Sequence, residues 1–235
     1  NFTLISDFAL ADAMFHEIKE ISMDNQSHVA FQLFYDASDL ASLSLTYVNK
    51  KKEISTTVLI PDGFITKEYL LDQLNSLIES KITLCTNDLK KQLPYIYASE
   101  DSNILDIAVA AYLCDPVRQS YECSDIASQV FQIDLMTEKE LLGKSSFKSL
   151  YEQDETSFLD LCAYTSLISF LAKDVLLKTL DAYGMTDLYS TIEMPLIYTL
   201  YDMQKRGIKV NKEELKEYGK MLLEDIKKLE ASIYE

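Results

Sequence analysis

The chain has 235 residues, 48% of them hydrophobic and 26% charged, which is enough to build a sizeable core and excludes a disordered tail. Four Cys without a C-x-x-C pair and only two His argue against a zinc site or a disulfide framework and indicate free thiols in a reducing compartment. The 38 acidic and 22 basic residues give a formal net charge of -16, which disfavours nucleic-acid binding by this chain alone.

The first half of the chain reads as mixed α and β structure. Apolar residues at helical spacing predict helices, and short runs rich in β-branched residues predict strands. The predicted elements are a helix at 8–21, an antiparallel meander of strands at 28–35, 43–48 and 54–60, a helix at 66–80 capped by Thr66, and a parallel strand at 81–85. This order favours an α/β fold with helices layered on a sheet.

The second half is mostly helical. Residues 103–114 carry an apolar face and stop at Asp115-Pro116, and residues 137–142 begin with the Thr137/Glu140 signature of a capping box. A long apolar helix is predicted at 157–183, with Gly184 in its C-cap, and a further helix at 192–206.

The last predicted helix, at 211–234, differs from the others. It is dense in Lys and Glu, but an apolar stripe runs along it, formed by Leu215, Tyr218, Leu222, Ile226, Leu229 and Ile233. The stripe needs a partner, and the preceding helix at 192–206 covers only part of it as a helical hairpin. An internal core helix, a domain continued beyond residue 235 and a docking face for another protein all remain open, and truncation of a longer protein is the simplest explanation.

Neither a membrane segment nor a nucleotide-binding loop is indicated. No run of 18 apolar residues occurs, and acidic residues interrupt the apolar pattern of residues 1–21, which argues against a membrane span and a signal peptide. No Gly-rich phosphate cradle of the common types is present, and five Gly in total leave little loop chemistry. We therefore expect a cytoplasmic protein without a bound cofactor.

The sequence contains DIAVAAYLCDP at residues 106–116, ELLGK at 140–144 and a Pro-containing helix followed by GIKV at 189–215. These three segments resemble bacterial DNA polymerase I, a family A polymerase. Residues 189–215 (YSTIEMPLIYTLYDMQKRGIKVNKEEL) resemble the stretch that joins its 3′-5′ exonuclease-like domain to the polymerase thumb. Residues 106–116 (DIAVAAYLCDP) are similar to the family's D-x-x-x-A-[AS]-Y-[LI]-L-[DN]-P segment, and residues 140–144 (ELLGK) to its E-L-L-G-K turn. Together these cover residues from about 25 to 235, and the resemblance is weakest before residue 81.

The resemblance implies a ribonuclease H-like 3′-5′ exonuclease fold, a mixed sheet with helices, at residues 1–187. Residues 188–235 would then be the start of the polymerase domain, a C-terminal hairpin of thumb helices. The parent enzyme would use Mg²⁺ and bind DNA through its polymerase domain, near the nucleoid. This fragment, whose partner is the rest of the polymerase chain, would bind DNA weakly or not at all and would not extend a primer.

The same resemblance gives positions for the exonuclease metal ligands. Active members hold two divalent metals on four acidic groups, because in-line attack on a phosphodiester needs one metal to make hydroxide and another to steady the leaving oxygen. The D-x-E pair of the opening strand aligns with Gln32 and Phe34. The second Asp aligns near Leu89, with Asp88 one residue off, and the Asp of the Y-x-x-x-D pattern aligns with Thr165. None of the four is a carboxylate, so we expect no catalytic residue, no metal and an inactive, vestigial exonuclease domain, a condition with precedent in the family.

Other candidate ligands are given structural roles. Asp36 and Asp39 follow the opening strand and could be displaced ligands of a working exonuclease, but Asp at a strand end is ordinarily turn chemistry. The remaining polar candidates are interpreted as solvated helix acids (Asp106, Asp160, Asp174), structural histidines (His16, His28) and a small core thiol (Cys162).

The former substrate cleft is expected to be filled by apolar contact. Phe34, together with Tyr164, would occupy the space that metals and a strand terminus take in active members. Loss of clustered carboxylates removes mutual repulsion in the absence of metal. The domain would then persist as a rigid platform that braces the polymerase core, with residues 192–206 as the connecting element.

Overall fold

A six-stranded mixed sheet forms the centre of the protein. The structure is a computed structural model that describes residues 2–25 and 27–234, and Asn1, Gln26 and Glu235 lie outside the described residues. The strands are β1 (Phe2–Ile5), β2 (His28–Asp36), β3 (Asp39–Val48), β4 (Ile54–Leu59), β5 (Thr83–Thr86) and β6 (Ile104–Asp106), in the spatial order β1-β4-β3-β2-β5-β6.

The predicted antiparallel meander is confirmed. Strands β2, β3 and β4 pair antiparallel to their neighbours, with Phe31 opposite Leu45 and Leu45 opposite Thr57. The predicted strand at 81–85 is also confirmed, since β5 pairs with β2 in parallel and aligns Ala30 with Cys85. Strand β1, which pairs in parallel with β4, was not predicted, because four residues are too few to show a period.

The other regular elements are helices. They are α1 (Phe8–Asn25), α2 (Lys67–Glu79), α3 (Leu89–Gln92), α4 (Ile107–Cys114), α5 (Cys123–Ile126), α6 (Glu138–Leu142), α7 (Phe147–Gln153), α8 (Glu155–Ala182), α9 (Thr186–Leu188), α10 (Met194–Arg206) and α11 (Lys212–Tyr234). Helix α5 continues into a π-helical turn at Ala127–Phe131, and α9 and α10 are joined by a second π-helical turn at Tyr189–Glu193.

Local capping chemistry explains where the predicted helices begin and end. The Thr66 hydroxyl accepts the N–H of Tyr69 at 3.1 Å, and Thr137 forms the predicted reciprocal capping box with Glu140. Gly184, with a φ of +67°, follows the end of α8 in the left-handed conformation that the sequence predicted for it.

The prediction of one helix at 103–114 was partly wrong. Residues Ile104–Asp106 are strand β6, which pairs in parallel with β5 and aligns Leu84 with Ile104, and the helix begins only at Ile107. The apolar residues of the strand continue into the helix without a break, so helical periodicity alone could not separate the two. Helices α5 and α7 were missed because four and seven residues give too little periodicity.

Helix α8 lies across the sheet and contacts β2, β3, β4 and β5. Small hydroxyl groups fill this contact: the Ser166 hydroxyl lies 2.7 Å from that of Ser44 and 2.9 Å from that of Thr46. Ser42 on the same strand lies 3.2 Å from the sulfur of Cys162. These groups are fully buried, so their mutual hydrogen bonds replace those that they lose to water.

The chain divides into two compact units, the first ending at Thr199 and the second beginning at Leu200. In the second unit, helix α11 carries the predicted apolar stripe, and every member of the stripe is exposed. The identity of a partner for the stripe, and the domain boundary between residues 187 and 188, stay predictions. Within residues 2–25 and 27–234, no helix combines the length and apolar character that crossing a membrane requires.

His28 should make stability depend on pH. Its Nε2 donates to the carbonyl of Phe170 at 2.9 Å, its Nδ1 lies 3.5 Å from the Lys173 ammonium, and Asp174 lies beside that lysine. Burial lowers the pKa of His28, with a smaller contribution from Lys173, so the folded state binds fewer protons than the unfolded state near pH 6. The contribution of His28 to the free energy of unfolding should therefore fall as the pH drops below about 6.5, by at most about 1.4 kcal/mol per pH unit.

Urea unfolding between pH 7 and pH 5 tests this pH dependence. His28→Gln should remove the part of the slope due to His28, and His16→Gln, a change at an exposed histidine, should leave the slope unchanged. Equal slopes in the wild type and His28→Gln would contradict the prediction.

Candidate functional site

An open cleft of about 720 Å³ lies where β2, the end of β5 and helix α8 meet. Three of the four predicted exonuclease positions, Gln32, Phe34 and Thr165, line it. In a sheet with parallel strands, side chains at and beyond the carboxyl ends of neighbouring strands converge at one edge, which is where such sites form. The fold therefore brings the predicted site residues together, with the exception of Leu89.

Gln32 is built into the fold by its side-chain oxygen. The residue is 8% exposed, and its Oε1 accepts hydrogen bonds from the Thr86 hydroxyl at 2.9 Å and from the Asn87 backbone N–H at 3.2 Å. Both donors belong to the end of β5, the parallel neighbour of β2. The amide thus ties β2 to the end of β5, and its oxygen is already occupied by two protein donors.

Phe34 belongs to the hydrophobic core beside the cleft. The side chain is 5% exposed and its ring meets that of Phe147 edge to face, with the centroids 5.4 Å apart. Val58, Phe158 and Cys162 lie in the same cluster. Burying a phenyl ring in this way contributes about 1.5–3 kcal/mol to stability.

Leu89 does not line the cleft. It is fully buried at the start of α3, and its N–H donates to a carboxylate oxygen of Asp106 at 2.6 Å. Lys91, two residues later, does line the cleft. An N-x-x-[YF]-D pattern counted from Asn87 ends at Lys91, so the asparagine was the signal that could have located this residue in the sequence.

Lys91 places a positive charge in the cleft. Its ammonium lies 3.1 Å from Asp88, the residue that caps α3 in a left-handed conformation with a φ of +59°. Burial opposes the charge on Lys91, but Asp88, Glu138 and Glu122 together raise its pKa above the ordinary value. Its side chain is 73% exposed, so the pair with Asp88 stabilises the fold by less than about 1 kcal/mol.

Thr165 turns its hydroxyl back onto its own helix. The hydroxyl donates to the carbonyl of Leu161, one turn earlier, at 2.7 Å. Beside it, the thiol of Cys123 donates to the carbonyl of Tyr164 at 3.7 Å, and burial raises the pKa of Cys123 to about 12. This wall of the cleft therefore presents neutral groups.

The carboxylates that line the cleft are spread along its walls. They are Asp88, Glu122, Asp134, Glu138 and Asp160. Burial raises the pKa of Glu138, and the ammonium of Lys91 partly offsets this effect. Across residues 2–25 and 27–234, no group of three or more His, Cys, Asp and Glu side chains converges closely enough to hold a metal ion.

Asp36 has a structural task at the end of β2. Its two carboxylate oxygens accept the N–H groups of Phe147 at 2.8 Å and Lys148 at 2.9 Å, which are orphan donors at the start of α7. Asp39 is exposed and faces Asp36 across the β2–β3 turn. Neither residue lines the cleft.

Asp106 is not the solvated acid that was expected. It is 2% exposed, caps α4 by accepting the N–H of Val109 at 3.1 Å, and also holds Leu89. Burial raises its pKa to about 6, although the backbone N–H groups oppose this shift.

Asp160 and Asp174 are exposed, as predicted. His28 is a buried structural histidine, stacked on Phe170, and Cys162 is the fully buried core thiol that the sequence predicted.

Comparison of the sequence with known proteins finds similarity to DNA polymerases. No family model matches the chain. DNA polymerase I of Caldicellulosiruptor bescii is 28% identical over 178 residues, which are 73% of this chain and 18% of that protein. DNA polymerase I of Streptococcus pneumoniae serotype 4 is 27% identical over 97% of this chain and 25% of its own length. The chain is similar to bacterial DNA polymerase I over most of its length.

Solved structures agree with this relationship at the level of the fold. The polymerase domain of Pol1 from M. smegmatis, in complex with DNA primer-template and dNTP, superposes with a TM-score of 0.64 at 17% identity and covers 97% of this chain and 36% of its own. Brucella melitensis NrnC gives a TM-score of 0.58 at 13% identity and covers 88% of this chain and 92% of its own. The fold is the ribonuclease H-like 3′-5′ exonuclease fold, as predicted, and the chain spans about a fifth to a quarter of the curated DNA polymerase I sequences.

Replacement of Asp36 distinguishes its structural task from a metal-binding one. Asp36→Ala should lower the free energy of unfolding by about 1–2 kcal/mol, because two N–H groups at the start of α7 lose their acceptor. Asp39→Ala, at the other end of the same turn, should change it by less than about 0.5 kcal/mol. Urea unfolding with and without Mn²⁺ measures both, and a loss for Asp36→Ala that appears only with Mn²⁺ would favour a displaced metal ligand.

Proposed function

We propose that this chain is part of a DNA polymerase I that works in DNA replication and repair, and that its exonuclease-like domain is a structural platform without nuclease activity. The wider assignment is supported by the two polymerase relatives, which match along most of the chain. The polymerase reaction, its Mg²⁺ and its primer-template would belong to the parent protein. Residues 188–235 would begin the thumb, and the exposed stripe of α11 would meet the rest of the polymerase chain.

One observation carries the proposal of inactivity. The Gln32 oxygen, at the position of the first expected ligand, is saturated by Thr86 and Asn87. A metal at this position would have to displace two hydrogen bonds in order to gain one neutral oxygen, whereas divalent magnesium prefers carboxylates. The phenyl ring of Phe34 offers no ligand at all and is held by the core.

Electrostatics point in the same direction. The lining carboxylates of the cleft outnumber its lysines, Lys91 and Lys139, so without a bound divalent ion the cleft repels a phosphodiester. The ammonium of Lys91 is itself paired with Asp88. We therefore propose weak or no binding of single-stranded DNA by this chain. Separately, we propose a cytoplasmic location for the parent enzyme.

Degradation of a 5′-labelled single strand tests the proposed inactivity. With Mg²⁺ or Mn²⁺, the chain should shorten the strand no faster than the same sample with excess EDTA. A contaminating nuclease would act equally in the wild type and in a double variant Asp36→Ala/Asp39→Ala. Metal-dependent shortening that this variant loses would instead establish the alternative function, a working exonuclease with displaced carboxylates.

Replacing Gln32 and Phe34 by the expected carboxylates should destabilise the fold without giving nuclease activity. Phe34→Glu places a charge in the cluster around Phe147 and should cost about 3 kcal/mol or more. Gln32→Asp shortens the side chain and withdraws the acceptor from Thr86 and Asn87, at about 1–3 kcal/mol.

Thermal unfolding measures these losses, and the strand assay should show no gain of activity in the double variant. A double variant as stable as the wild type would contradict the structural roles proposed for Gln32 and Phe34. Metal-dependent activity in that variant would show that the remaining two expected ligand positions do not matter.

A further inference from the structure

Tyr189 connects the last part of the first unit to its sheet through a single buried hydroxyl. The side chain is 2% exposed, and its hydroxyl donates to the backbone carbonyl of Asp106 at 3.0 Å. The two residues are 83 positions apart in the chain. The bond therefore joins the segment at residues 186–199, here called the linker segment, to the edge strand β6.

The acceptor of this bond is held firmly in place. Asp106 ends β6, caps α4 through Val109 and fixes the start of α3 through Leu89, with its carboxylate fully occupied by these N–H groups. Three elements thus meet at one buried residue. A group that binds the carbonyl of Asp106 is positioned relative to all of them.

The π-helical turn at Tyr189–Glu193 gives this contact its geometry. The N–H of Met194 donates to the carbonyl of Tyr189, five residues earlier. In a regular α-helix, residues five apart point about 140° away from each other, so Tyr189 and Met194 could not both face the same body. The wider turn brings them to one side, and both are buried, as is Ile197.

We infer that Tyr189 is the positioning residue of the linker segment: its bond to the Asp106 carbonyl and the π-helical turn together hold this segment against the sheet of the first unit. The use of this anchor rests on the proposed platform function, because a platform can brace the polymerase domain only through a rigid connection. The anchor itself is a property of the first unit and does not depend on whether the cleft has nuclease activity.

Tyr198 supplies a matched control on the same segment. Its hydroxyl is also buried, but it has no hydrogen-bond partner among residues 2–25 and 27–234. Tyr189→Phe and Tyr198→Phe each remove one buried oxygen and keep the ring. Only the first variant removes a hydrogen bond, so any difference between them reports on that bond.

Hydrogen–deuterium exchange of the intact protein, read by mass spectrometry, tests the inference. Tyr189→Phe should increase the exchange rates of backbone amides in residues 190–199 about fivefold, while amides of β2 and β3 keep the wild-type rate. Tyr198→Phe should leave both sets unchanged.

Two results would overturn the inference. Unchanged exchange in residues 190–199 of Tyr189→Phe would show that the hydroxyl does not hold the linker segment. An equal rise in β2, β3 and the linker segment would show that Tyr189 supports only the overall stability of the fold. Neither result bears on the strand assay, so failure of this inference is distinguishable from discovery of nuclease activity.

Discussion

The hydroxyl contact between helix α8 and strand β3 is the constraint on which the rest of the structure depends. Ser166 hydrogen-bonds with Ser44 and Thr46 at the centre of the sheet, where larger apolar side chains would hold the helix further away. Because α8 lies close to the sheet, Tyr164 and Thr165 reach the cleft and Cys162 reaches the cluster around Phe34. The position of the cleft wall thus follows from small polar residues in the core.

Polar groups in the cleft serve the fold in the same way. Gln32 connects β2 to the end of β5 and Asp88 caps α3, while Asp36, outside the cleft, receives the start of α7. Each group accepts a hydrogen bond from a backbone N–H that would otherwise lack a partner. Leaving such an N–H unpaired costs about 1–3 kcal/mol when it is buried. A site arranged around backbone donors has its oxygens already committed, which supports the structural role proposed for the cleft.

Much of the fold could be predicted because local signals and tertiary structure agree. The apolar and β-branched runs of β2, β3 and β4 match their nearly continuous burial, and Thr66 and Thr137 begin helices as their side chains allow. Prediction failed where a tertiary contact decides the outcome. Residues 104–106 have a helical pattern but form a strand because β5 lies beside them.

The candidate site was predictable to a similar extent. Gln32, Phe34 and Thr165 line the same cleft because they lie on long regular elements, whose residues keep a constant spacing. The position after β5 was placed near Leu89, with Asp88 one residue off, whereas Asp88 and Lys91 line the cleft and Leu89 does not. The left-handed backbone of Asp88 redirects the chain there, and only counting the family pattern from Asn87 leads to Lys91. The burial of Asp106 likewise follows from contacts between elements distant in sequence.

The two outer strands of the sheet have a consequence for solubility. Strand β6 has only three residues before the chain turns into α4, and β1 has only four. An unpaired strand edge is a template on which another molecule can add a strand, and the hazard grows with the length of the edge. By keeping its long strands, β2 and β3, in the interior of the sheet, the protein offers little surface for intermolecular pairing and aggregation.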